Sequence, residues 1–269
     1  MDLDDEELEA TRILTGATRK TTFKDMINTI ILGDSYKLIK DIPDKSIDCI
    51  YIDVPYLMPN TKGESGGFMA KRVNKIINQD LKNIKSGFNL SILNEIVRIN
   101  KTLNIFIWCN KFLIKDILDY FIDIVKCKKY EIMVWCKNNP IPMTQNVWLS
   151  DIEYCLWFGE TGVKLNDGYE LKSKWYESPI NKRDKDKYKH PTIKPLELVK
   201  RHILHATQEN DLVLDCFSGS GTTCVAAKEL NRRFIGIEID PEYHKISLDR
   251  LNGILANGQI TFDTDISKI

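Results

Sequence analysis

The stretch Asp211-Leu212-Val213-Leu214-Asp215-Cys216-Phe217-Ser218-Gly219-Ser220-Gly221-Thr222-Thr223, with Arg233-Phe234-Ile235-Gly236-Ile237-Glu238 after it, decides how this chain is read. Two short apolar runs, each ending in an acid, read as strands, and Thr222 to Leu230 between them reads as a helix. Gly219 and Gly221 let a ligand approach bare backbone at the start of that helix. An acid at the tip of the second strand, Glu238, suits ribose hydroxyls. The pattern points to an adenosine-containing cofactor. A dinucleotide fingerprint wants a third glycine where Cys224 stands, which disfavours NAD. No lysine follows the second glycine, so this is not a P-loop. A tight strand-to-helix turn without a ligand is the plain alternative.

Outward from this unit the chain keeps the same alternation. Thr29 to Leu32 reads as a strand ended by Gly33-Asp34-Ser35, with Ser35 as a cap for a helix through Ile39. Ile42 to Ser46 is a turn, and Ile47-Asp48-Cys49-Ile50-Tyr51-Ile52 is a buried strand. Further strands are expected at Leu103–Trp108, Tyr130–Trp135 and Ile152–Phe158, and helices at Leu90–Val97, Lys111–Val125, Pro195–Thr207 and Pro241–Leu255. Trp108 and Trp135 read as core. Residues 160–189 show no periodicity and read as an insertion or loop. Strands alternating with helices, without an internal repeat, give an α/β fold with a largely parallel sheet.

Composition narrows the class. The 269 residues are 43% hydrophobic and 28% charged, enough for one large core. No segment approaches the roughly 20 apolar residues that span a bilayer, and no secretory signal is visible, so a cytoplasmic protein is expected. The seven cysteines have no CxxC spacing and read as buried thiols in a reducing compartment, neither disulfides nor a zinc site. Net charge is zero but uneven: residues 2–9 hold six acids and no base, whereas residues 172–201 hold ten bases against four acids. That basic stretch includes Trp175 and Tyr176. It is either a solvated face or the footprint of phosphate-backbone binding.

Two more stretches carry chemistry. Asp53-Val54-Pro55-Tyr56 closes the strand Ile47–Ile52, so it delivers an acid, a proline and a ring to the edge where α/β sheets bind ligands. His190-Pro191-Thr192-Ile193-Lys194-Pro195 makes a rigid helix entry in which Thr192 and Lys194 could hold a carboxylate. His202 and His205 lie three apart on the helix that follows, without further ligands nearby, and read as packing residues.

Together the three stretches resemble the amino-group DNA methyltransferases that use S-adenosylmethionine, the N6-adenine and N4-cytosine enzymes. The catalytic motif precedes the cofactor motif, which is similar to the β-class order. The resemblance runs from about Thr29 to Leu251. It implies a Rossmann-like class I methyltransferase fold in circularly permuted order, with helices on both faces of a mostly parallel sheet. One catalytic domain, 29–269, follows an acidic and polar arm, 1–28. It implies a lid or DNA loop at 57–88 and a target-recognition region at about 140–189.

By the same resemblance Asp53, Val54, Pro55 and Tyr56 are the catalytic set. Asp215, Phe217, Gly219, Ser220, Gly221 and Thr222 form the cofactor loop, and Glu238 takes the ribose. Asp34 lies near the adenine, and Thr192 and Lys194 lie near the methionine carboxylate. Trp135 to Pro140 and Asp151 to Tyr154 look like family positions without an assigned role. The implied reaction is methyl transfer to adenine N6 in double-stranded DNA after base flipping, with no metal. Cytosine N4 is the alternative target, and a catalytically weakened DNA-binding relative is the alternative class. A homodimer and a cognate restriction endonuclease are the partners such enzymes have, in bacteria or phage. The family usually has proline at position 54. Val54 can still offer its carbonyl, but it loses rigidity and adds an N–H that needs a partner.

Overall fold

The computed structural model describes residues 22–55, 88–140, 148–180, 186–188 and 193–254. Eight strands form one sheet: β1 (Thr29–Leu32), β2 (Cys49–Asp53), β3 (Asn104–Cys109), β4 (Lys129–Lys137), β5 (Ile152–Gly159), β6 (Trp175–Ser178), β7 (Leu212–Asp215) and β8 (Arg233–Glu238). Their order across the sheet is β1-β8-β7-β2-β3-β5-β4-β6. Every pairing is parallel except those of β5, which runs against both β3 and β4. The expected largely parallel α/β sheet is therefore present, with one reversed strand near its far edge.

The period-2 alternation of the strands divides the interior into two cores. Ile50, Ile52, Ile105 and Ile107 point to one face. There they meet α3 (Ile92–Ile99), whose Ile92, Leu93, Ile96 and Ile99 form one buried stripe, and α4 (Ile114–Asp119) through Ile117. Cys49, Tyr51, Phe106 and Trp108 point to the other face, against α5 (Leu196–Ala206) and α6 (Thr222–Glu229). α7 (Pro241–Leu251) closes that side through Leu248 and Leu251. α1 (Phe23–Met26) and α2 (Ser35–Leu38) are single turns flanking β1.

Four local expectations are corrected. Asp34, not Ser35, caps α2, accepting the Tyr36 N–H at 3.0 Å; the Ser35 hydroxyl instead donates to the Cys216 carbonyl. The helix expected over 111–125 begins at Ile114 and passes into a π-turn at Tyr120–Ile124. β5 is antiparallel, and the unpatterned region 160–189 contains β6, which extends the sheet beyond β4. Residues 1–21 of the arm, Tyr56, most of the expected 57–88 loop, residues 141–147 and 181–185, and His190, Pro191 and Thr192 lie outside the described residues.

Candidate active site

Because β5 is reversed, its first residues reach the same edge of the sheet as the last residues of the parallel strands. Asp53, Cys109, Lys137, Glu153, Asp215 and Glu238 all stand on that edge. β2 and β7 are adjacent there, with Ile50 in register with Leu214, and the strand order reverses between them, which is where such sheets open a ligand site.

The candidate catalytic corner begins at β2. Asp53 is paired in register with Trp108, and the Val54 N–H continues the ladder by donating to the Trp108 carbonyl at 3.2 Å. The N–H that valine adds at this position thus has a partner, and the side chain is packed in the core at 2% exposure. Pro55 follows directly.

The sequence places Lys194 beside a cofactor carboxylate; the structure gives its ammonium to two carboxylates of the chain itself. Lys194 Nζ lies 2.5 Å from Asp53 Oδ2 and 3.0 Å from Glu153 Oε2. Glu153 Oε1 meets Lys137 Nζ at 2.6 Å. Burial opposes the charge on Lys194, yet Asp53 and Glu153 together hold its pKa above the ordinary lysine value. Burial would raise Glu153, but Lys194 and Lys137 bring it down to about 2. Lys194 Nζ also sits 5.2 Å from the Trp108 ring centroid. Beneath it, Trp108 Nε1–H donates to the Tyr51 hydroxyl at 2.8 Å, and that hydroxyl meets His202 Nδ1 at 3.1 Å. His202 stacks on Phe106 and Trp108, and burial lowers its pKa to about 3, so it is a neutral packing residue.

The candidate cofactor corner begins at β7. Asp215 is buried and accepts the Phe217 N–H at 3.0 Å; burial pushes its carboxyl up to about 7, against the hydrogen bonds from Thr223 and Phe217. Gly219 (φ 50°) and Gly221 (φ 74°) turn the chain into α6. Glu238 accepts the Gly219 N–H at 2.6 Å and the Asp240 N–H at 2.9 Å, tying the two strand tips together. Its burial raises the carboxyl pKa. Phe217 meets Tyr36 and Phe88 edge-on, 6.3 and 6.0 Å between centroids. The hydroxyls of Ser220 and Thr222 both serve Arg250, which donates to them at 3.1 and 2.7 Å from α7. Asp34 stands at the end of β1, occupied with its cap and with Lys37 at 3.4 Å.

Sequence reasoning gave no role to Glu153, Lys137 or Arg250. A signal for the first existed. Glu153 sits inside Ile152-Glu153-Tyr154-Cys155-Leu156-Trp157-Phe158, and an acid drawn into a buried strand requires a cation. Arg250, at 5% exposure on a helix that reads as charged, gave none.

The sequence matches the DNA methylase family of N6 and N4 methyltransferases over residues 47–249. The chain belongs to that family. This methylase is 33% identical over 240 residues to the Type II methyltransferase M2.LlaDCHI of Lactococcus lactis subsp. cremoris, covering 83% of this chain and 88% of that one. It is 32% identical over 242 residues to M2.DpnII of Streptococcus pneumoniae, covering 82% and 88%. Among solved structures, the M1.HpyAVI–SAM complex superposes with a TM-score of 0.58 at 26% identity, over 82% of this methylase and 98% of that chain. The cytosine-N4-specific PvuII DNA methyltransferase gives 0.63 at 19% identity, over 88% and 87%, a likeness of fold alone. Among the described residues no helix is long and apolar enough to cross a membrane.

Proposed function

We propose that this methylase transfers a methyl group from S-adenosylmethionine to the exocyclic N6 of adenine in double-stranded DNA. The observation that carries the reading is the adjacency of the two corners. An acid and a carbonyl acceptor at the tip of β2 stand beside the Asp215–Glu238 loop at the tips of β7 and β8. The residues of that loop fit the cofactor: Glu238 would take the ribose hydroxyls, Phe217 and Asp34 would flank the adenine, and the glycine backbone admits close approach. Thr192 is assigned to the methionine carboxylate.

An exocyclic amine is a poor nucleophile because its lone pair is delocalised into the ring. Asp53 and the Val54 carbonyl each accept an N–H, which draws the nitrogen towards a pyramidal form with its lone pair localised. Pro55 fixes the turn that aims both acceptors, and Tyr56 is assigned to stack on the base once it has left the duplex. S-adenosylmethionine, when bound, supplies a methyl group already activated on a positively charged sulfur. The nitrogen lone pair forms the N–C bond as the S–C bond breaks, and the cationic amine then passes one proton by way of Asp53 to solvent. Positioning and electrostatics supply the acceleration. The basic, aromatic region about 140–189 is assigned to the DNA; exposed Trp148, Tyr169 and Trp175 lie within it. No residue pattern there spells a recognition sequence.

An acid at position 53 favours adenine over cytosine. The test is incubation of the purified protein with labelled S-adenosylmethionine and unmethylated genomic DNA, then digestion to nucleosides. N6-methyladenine is expected; label found only in N4-methylcytosine would overturn the choice of base.

A further inference from the structure

Lys194 is a cation in direct contact with Asp53, and it is held from behind. Its ammonium is shared between Asp53 and Glu153, Glu153 is shared in turn with Lys137, and the Trp108 ring lies against it. The four charged groups come from β2, β4, β5 and the entry to α5, so they alternate in sign along the edge of the sheet. A lysine held this way cannot swing to a distant carboxylate without leaving two partly buried anions facing each other. We infer that Lys194 and Glu153 are positioning residues for methyl transfer, fixing the Asp53 carboxylate in its amine-accepting orientation and keeping it ionised, and that Lys194 is not a ligand of the cofactor carboxylate. This rests on the proposed reaction.

The surroundings support the assignment. Among the described residues, other titratable groups that feel the Asp53 charge include Tyr51 on its own strand, Cys109 on β3, Cys155 on β5 and Asp215 on β7. Burial pushes Cys109 up to about 12 and raises Tyr51 and Cys155 well above their ordinary values, so these three are neutral. Asp215 carries either no charge or a like one. The Lys194 ammonium favours a carboxylate over a carboxylic acid at position 53, and a protonated Asp53 would lose acceptor capacity for the amine.

The test compares unaltered protein, Lys194→Met and Glu153→Gln. Methyl transfer from labelled S-adenosylmethionine to unmethylated genomic DNA is followed between pH 5.5 and 9, and cofactor binding is measured by calorimetry. Lys194→Met is expected to bind S-adenosylmethionine within about threefold of the unaltered protein. Its kcat should fall about 100-fold at pH 6, with the acidic limb moved up by a unit or more. Glu153→Gln removes a like charge and leaves the whole ammonium to Asp53, so its acidic limb should move the opposite way. Asp215 is common to all three proteins, so a difference between them belongs to Asp53. Loss of cofactor affinity in Lys194→Met with an unmoved limb would overturn the inference and return Lys194 to the cofactor. If Lys194→Met does not fold, Glu153→Gln decides alone: a limb moved down supports the inference, and an unmoved limb overturns it. Absence of transfer by the unaltered protein at every pH would instead overturn the proposed reaction itself.

Discussion

Val54 shows how one side chain can be exchanged without losing a site. Proline at this position would fix the turn by its ring; valine fixes it by a hydrogen bond from its own N–H to the Trp108 carbonyl and by burial in the core. Val54→Pro should therefore destabilise the protein, by about 0.5–1.5 kcal/mol for the lost bond, and lower Tm by a few degrees; an unchanged Tm in a thermal melt would show that this bond contributes nothing. Asp53→Ala should cut methyl transfer by about 10²–10³ or more while calorimetry still registers S-adenosylmethionine. Retained turnover would remove Asp53 from its role. The glycine at 221 makes a harsher case. Its φ is 74°, and a Cβ there would stand 2.9 Å from the Ser247 Cβ. Gly221→Ala should cost about 1–3 kcal/mol and weaken cofactor binding, both visible in a melt run with and without S-adenosylmethionine.

Elements were legible where local chemistry decides them. β1 and β8 fall where Thr29–Leu32 and Arg233–Glu238 predict them, because each is an apolar run between turn residues. α6 starts after Gly221 because two left-handed glycines reverse the chain there. β6 was not legible: Trp175-Tyr176-Glu177-Ser178 alternates over four residues only and becomes a strand by pairing with β4. The reversal of β5 was equally hidden, since a short apolar strand reads the same in both directions. That reversal is what carries Glu153 to the edge where Asp53 stands, so the element that escaped the sequence also brought the residue that escaped it. The acid–cation chain from Lys137 to Asp53 is a property of topology, and no window of the sequence contains it.

For the molecule as a whole, two buried groups pull stability in opposite directions with pH. Asp215 titrates near 7 when folded and about 3.9 when unfolded, so its protonated form is favoured by folding and stability from it declines as pH rises from about 4 to 7. His202 titrates near 3 when folded and about 6.5 when unfolded, so stability from it is present above about 6.5 and is lost as pH falls towards 3. Asp215→Asn should leave the acid-side loss of stability steeper, and His202→Phe should make it shallower; denaturant midpoints measured from pH 4 to 7 read both slopes, and parallel curves for the three proteins would refute the pair. A last consequence follows from β1 lying beside β8, with Thr29 opposite Ile235. Among the described strands β1 is made first and must wait for β8, which is made last, and β2 must wait for β7. Until residues beyond 238 are synthesised, the nascent chain carries open strand edges and an unfilled central gap. Folding should therefore be late and slow, dominated by long-range closure, and expression at reduced temperature with chaperone capacity to spare should raise the yield of native protein.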